Sequence, residues 1–96
     1  MKLEWRPEAF SDRDKIWDFI AQDNPQAALD LDAMFEKKAG ALIEQPKLFK
    51  LGRMKGTREA VVHPNYVLVY QVLADTVTIL RVLHTSQAWP IEDVES

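Results

Sequence analysis

The sequence predicts an α+β domain of order β-α-α-β-β-β, with a helical hairpin packed on one face of a twisted, mainly antiparallel sheet. Three observations carry this prediction. Apolar residues recur at intervals of three and four through the first half of the chain. After residue 58 the apolar period changes to two. The three apolar runs that follow are separated by breaks so short that consecutive strands must pair as an antiparallel meander. With 96 residues, 47% of them hydrophobic, the chain can bury one modest core and is too apolar for a disordered segment. The domain is expected to span residues 1–90, followed by a frayed acidic tail, IEDVES, at 91–96.

Residues 2–5 (KLEW) read as a short strand. Pro7 then opens a helix, since proline suits a first helical turn. Phe10, Ile16, Trp17 and Ile20 fall near its apolar face, and Asp12, Asp14 and Asp18 are expected on the other. That helix runs to about Gln22. Asn24-Pro25 reads as a cap followed by proline at the first helical position, so a second helix starts there. Ala28, Leu31, Phe35, Ala39 and Leu42 form its apolar stripe, and Pro46 ends it. The connection between the helices is a few residues long, so they form an antiparallel hairpin. Glu59–His63, Tyr66–Leu73 and Val77–Leu83 are rich in valine, isoleucine and tyrosine and read as strands, with breaks at Pro64-Asn65 and Ala74-Asp75-Thr76.

The net charge of −3 is unevenly distributed. Residues 1–46 hold ten acidic and six basic side chains, and residues 59–96 hold five acids and one base, Arg81. Between them, KLFKLGRMKGTR carries Lys47, Lys50, Arg53, Lys55 and Arg58 and no acid. A field negative overall does not draw nucleic acid from a distance. The basic segment can still hold phosphates or an acidic partner within about one Debye length, ~8–10 Å. It reads equally as a solvated loop beside a sheet. There is no cysteine, no apolar run long enough to span a membrane and no signal-peptide pattern, so a cytoplasmic protein with no membrane contact is expected. No metal or cofactor is expected. Neither histidine is followed by a carboxylate three or four residues on, and Gly40, Gly52 and Gly56 form no phosphate-binding pattern.

The polar groups that stand out are Arg58 at the start of the first meander strand, His63 at its end, and Arg81 and His84 in the last strand. Strict alternation puts Arg81 on the face of Ile79 and Leu83, opposite Leu80, Val82 and His84. A buried Arg81 needs a carboxylate, with Glu59 and Glu4 as possible partners. One function for the set is acid–base and phosphate-binding chemistry, as in metal-free RNA cleavage through the 2′-hydroxyl. The other is structural: a turn histidine, a histidine closing a strand and an internal ion pair. Trp5, Trp17 and Trp89 read as core or rim residues.

GTREAVVHPNYVLVYQV at Gly56–Val72 and ILRVLHTSQAWP at Ile79–Pro90, with NPQAA at Asn24–Ala28, resemble the RelE/ParE superfamily of toxins from bacterial type II toxin–antitoxin modules. The resemblance covers nearly the whole chain and agrees with the predicted fold. It implies a growth-arresting toxin neutralised by a cognate antitoxin that wraps it, with Lys47, Lys50, Arg53, Lys55 and Trp89 as candidate binding residues.

The superfamily divides by target. ParE-like members inhibit DNA gyrase, and RelE-like members cut mRNA on the ribosome. The resemblance matches Arg58 and Arg81 to basic positions of the RelE-like site. Val67, however, stands where that group carries an arginine before LVY, Ala60 where it often carries a lysine, and Trp89 cannot donate a proton as a C-terminal tyrosine does. A second nuclease pattern built on histidines is matched by His84. In that pattern His63 is shifted by two residues, and Asn65 replaces an aspartate. These departures favour gyrase inhibition. The alternative is a ribosome-dependent endoribonuclease whose catalytic residues are His63, His84, Arg58 and Arg81. A toxin that persists only as an antitoxin-binding module is a third possibility.

Overall fold

Both helices begin where local chemistry dictates. Pro7 lies in the first turn of α1 (Pro7–Ala21) and Pro25 in that of α2 (Pro25–Glu44). There a missing backbone N–H has no helical partner to lose. Asn24 caps α2, its side-chain oxygen accepting from the Ala27 backbone N–H at 3.1 Å. Ala28, Leu31, Phe35, Ala39 and Leu42 are all buried, as their spacing predicts. The computed structural model describes residues 1–87 and 89, so the expected tail at 91–96 lies outside the described residues.

The strands are β1 (Lys2–Trp5), β2 (Arg58–His63), β3 (Tyr66–Leu73) and β4 (Thr76–His84). They form one sheet of order β1-β4-β3-β2. The meander β2-β3-β4 is antiparallel, and β1 joins β4 in parallel. The hairpin covers one face of the sheet. Phe35, Leu42, Leu68, Tyr70 and Ile79 lie in the core between them. On the opposite face Val67, Val69 and Leu83 form a smaller apolar cluster with Leu80 and Trp89 packed against it.

Helix α1 differs from its expected orientation at two residues, Asp12 and Phe10. Asp12, expected on the outward face, is buried at 9% exposure, with Arg13 beside it at 8%. Both lie in line with Ala9, Ile16 and Ile20, facing inward. They are tolerated there because each finds charged partners. Arg13 donates to both carboxylate oxygens of Asp32 at 2.9 and 2.7 Å and reaches Glu36 at 2.8 Å. Its guanidinium lies 4.6 Å over the Trp5 ring. The hydrogen bond to Asp32 raises the Arg13 pKa against the opposing effect of burial. Phe10, expected near the apolar face, is half exposed and stacks on Trp5.

Strand β4 carries the second difference. Val69 faces Arg81 while Tyr70 faces Ile79, so Leu80 is an extra residue, a β-bulge. Strict alternation groups Val82 and His84 with Leu80, against Ile79. The bulge reverses this. Ile79 and Val82 share the helix-covered core, and His84 meets Tyr66, which packs against that core. Leu80 and Leu83 take the other face.

Candidate functional site

The basic segment is folded onto the edge of β2. The Tyr70 hydroxyl donates to the Pro46 carbonyl at 2.8 Å, and Arg58 donates to the carbonyls of Phe49 at 2.7 Å and Lys47 at 3.5 Å. The Gly52 N–H donates to the Thr57 carbonyl at 2.7 Å. Only glycine allows this approach, since a Cβ at position 52 would stand 2.6 Å from Thr57 Oγ1. Arg53 holds the loop from its other side. Its side-chain Nε and its backbone N–H both donate to Glu59 Oε2 at 3.0 Å, and its Nη1 donates to the Gln87 carbonyl at 3.1 Å. Burial pushes the Glu59 carboxyl up, but Arg53 and Lys50 together hold it below its ordinary value. Two of the five basic side chains are therefore engaged in holding the loop. Lys47, Lys50 and Lys55 remain exposed and form no ion pair among the described residues.

The two histidines, far apart in sequence, are brought into one row. His63, Tyr66 and His84 are successive partners across β2, β3 and β4. This places the two histidine Cα atoms roughly 10 Å apart, two strand spacings. The rings lie 6.1 and 5.4 Å from the Tyr66 ring and open into a groove of about 490 Å³ shared with Phe19 and Met34. Each imidazole is fixed by the turn that follows it. His63 Nδ1 accepts the Asn65 backbone N–H at 3.1 Å, and His84 Nδ1 accepts that of Ser86 at 3.1 Å, with Ser86 Oγ at 2.7 Å. An Nδ1 that accepts an N–H leaves the proton of the neutral ring on Nε2.

Arg81 pairs with Asp12, in place of the expected Glu59 or Glu4. Its Nε and Nη2 donate to the two Asp12 oxygens at 2.7 and 2.8 Å. The hydrogen bonds it donates to Asp12 raise the Arg81 pKa against desolvation. Glu59 is engaged by Arg53, and Glu4 is exposed in β1. The fold thus gathers His63 and His84 but not Arg58 or Arg81, neither of which lines their groove. Tyr66 and Asp12 are the residues that sequence reasoning missed. The signal for Asp12 was present: it stands three residues after Ala9 and four before Ile16, on the apolar stripe. No group of three or more His, Cys, Asp or Glu side chains among the described residues could hold a metal ion.

The family described as ParE toxin of the type II toxin–antitoxin system, parDE, matches residues 3–89. The chain belongs to the ParE toxin family. It is a toxin of the RelE/ParE superfamily of type II toxin–antitoxin systems. It is 36% identical to the Sinorhizobium fredii protein Y4kP over 90 residues, 93% of either chain. It is also 34% identical to Toxin RelE2 of Caulobacter vibrioides over 86 residues, covering 90% of this chain and 97% of that one. Among solved structures, the chromosomal ParDE system from P. aeruginosa superposes with a TM-score of 0.76 at 20% identity, over 88% of this chain and 95% of that one.

In this ParE-family toxin the helix-free sheet face carries a small apolar cluster of Val67, Val69 and Leu83. Val67, 5% exposed, and the fully buried Val69 lie under Trp89, whose ring packs on their cluster. The indole Nε1 is sequestered and has no acceptor among the described residues. No helix among the described residues of the toxin is long and apolar enough to cross a membrane.

Proposed function

We propose that this toxin arrests growth by binding DNA gyrase, and that a cognate antitoxin neutralises it by covering the toxin surface. The observation that carries this reading is the commitment of both arginines to the fold. Arg81 is held by the Asp12 carboxylate, and Arg58 is turned to the carbonyls of Phe49 and Lys47. Metal-free cleavage of RNA needs cations to stabilise the charged phosphorane and a bare nitrogen or oxygen to take the 2′-hydroxyl proton. With Nδ1 occupied, each neutral imidazole offers a donor at Nε2 and not a base. Val67, covered by Trp89, supplies no cation to a phosphodiester chain.

One observation favours mRNA cleavage as a second reading. The row His63–Tyr66–His84 lines a single open groove, as an acid–base pair would. The name of the Caulobacter relative, Toxin RelE2, is consistent with it.

Pulse labelling after induction separates the two. Gyrase inhibition predicts early loss of thymidine incorporation, filamentation and trapped gyrase–DNA complexes, with methionine incorporation falling later. An immediate fall in methionine incorporation accompanied by cut transcripts would reject the gyrase reading.

A further inference from the structure

On the helix-free face, the loop 51–57 and the β1–α1 junction enclose a groove of about 350 Å³. Its floor is Leu80, displaced to this face by the β4 bulge, and its walls include Met54, Lys55, Arg6 and Trp89. Three features of this groove match one ligand chemistry. Lys55 is exposed and meets no carboxylate among the described residues. Arg6 has only a loose, exposed pairing with Glu8 at 3.7 Å, its side chain 57% exposed, so its charge is available. The Trp89 indole N–H is shut away from water with no acceptor among the described residues. A buried donor of that kind is unfavourable, and an acceptor supplied by a ligand would offset the cost.

We propose that this groove is a docking site for an acidic segment of a protein partner, with one carboxylate bridging Arg6, Lys55 and the Trp89 indole N–H. This rests on the reading of the toxin as a protein-binding toxin. A carboxylate-bearing peptide fits better than RNA for three reasons. Arg81, the third cation at the groove, has its Nε and Nη2 taken by Asp12. Glu8 stands at the rim and repels any anion, so a continuous run of phosphates meets more repulsion there than a single carboxylate. The Leu80 and Met54 surfaces are apolar and offer burial to an aliphatic side chain next to the acid. Arg53, a candidate binding residue from sequence, is engaged instead by Glu59 and the Gln87 carbonyl.

The test follows the Trp89 indole resonance in ¹H–¹⁵N spectra of the full chain, assigned with Trp89→Phe. The probe is a blocked hexapeptide of alternating glutamate and leucine. The controls are its glutamine counterpart and a uridine hexanucleotide. The expected result is a saturable shift of the Trp89 indole signal by the glutamate peptide alone, with affinity falling at least tenfold in the Arg6→Gln/Lys55→Gln variant. No shift, or an equal shift with the glutamine peptide or the RNA, overturns the proposal. A shift seen only after Glu92→Gln/Asp93→Asn/Glu95→Gln makes the chain's own acidic tail the occupant and also overturns it. Because the readout involves neither gyrase nor ribosome, a failure here is distinct from a failure of the growth-arrest reading.

Discussion

Asp12 in α1 and Arg81 in β4, 69 residues apart, are joined by two parallel hydrogen bonds of 2.7 and 2.8 Å. The same Asp12 Oδ2 also accepts the Val82 backbone N–H at 2.9 Å, next to the bulge. One carboxylate therefore serves three donors, neutralises a largely buried guanidinium and docks the first helix on the last strand. Arg13, the next residue, ties α1 to α2 through Asp32 and Glu36.

Removing one partner of this pair strands the other. Asp12→Ala leaves Arg81 and the Val82 N–H without their acceptor and is expected to cost about 3 kcal/mol. Arg81→Met spares the Val82 bond and is expected to cost less. The double variant Asp12→Ala/Arg81→Met should be less damaging than the sum of the two. Urea denaturation of all three checks this, and strict additivity would reject the coupling.

The basic loop depends on two side chains of the sheet. Tyr70→Phe removes only the hydroxyl that holds the Pro46 carbonyl, at an expected cost of about 1 kcal/mol. Arg58→Met releases the Phe49 carbonyl and should loosen residues 46–50 with little effect on the helices. Amide hydrogen exchange resolves this: faster exchange in the loop with unchanged protection in α2 is the expected pattern.

Glu59 sets a pH dependence. Its pKa is lowered in the folded state, so it contributes stability above its unfolded value of about 4.3, and that contribution is lost as pH falls through the lower folded value. At pH 7, Glu59→Gln is expected to cost about 1 kcal/mol, modest because Arg53 is partly exposed. The difference from the unaltered protein should shrink below pH 4, and thermal melts from pH 3 to 7 measure it. A difference that stays constant across that range removes the ion pair as its cause.

The histidine row bears on function. His63→Ala and His84→Ala are expected to keep toxicity in a gyrase inhibitor, because the Nδ1 contacts they lose belong to exposed turns. Growth curves after induction, paired with circular dichroism, test it. Loss of toxicity in folded variants would instead give the histidines a chemical role.

Much of this architecture was legible in the sequence. The cap at Asn24, the prolines at 7 and 25, the apolar stripe of α2 and the limits of β3 are set by contacts within a few residues, so pattern and spacing suffice to find them. The family was also legible, since residues 3–89 match it almost end to end. The fate of the charged groups was decided by tertiary structure alone. Sequence placed Asp12 outside, offered Arg81 the wrong carboxylates and left the two histidines unconnected. One extra residue in β4 and the packing of α1 on that strand changed each outcome. Short-range periodicity shows where a backbone turns, but the partner of a buried charge is chosen by which distant segment approaches it, and no spacing rule contains that information.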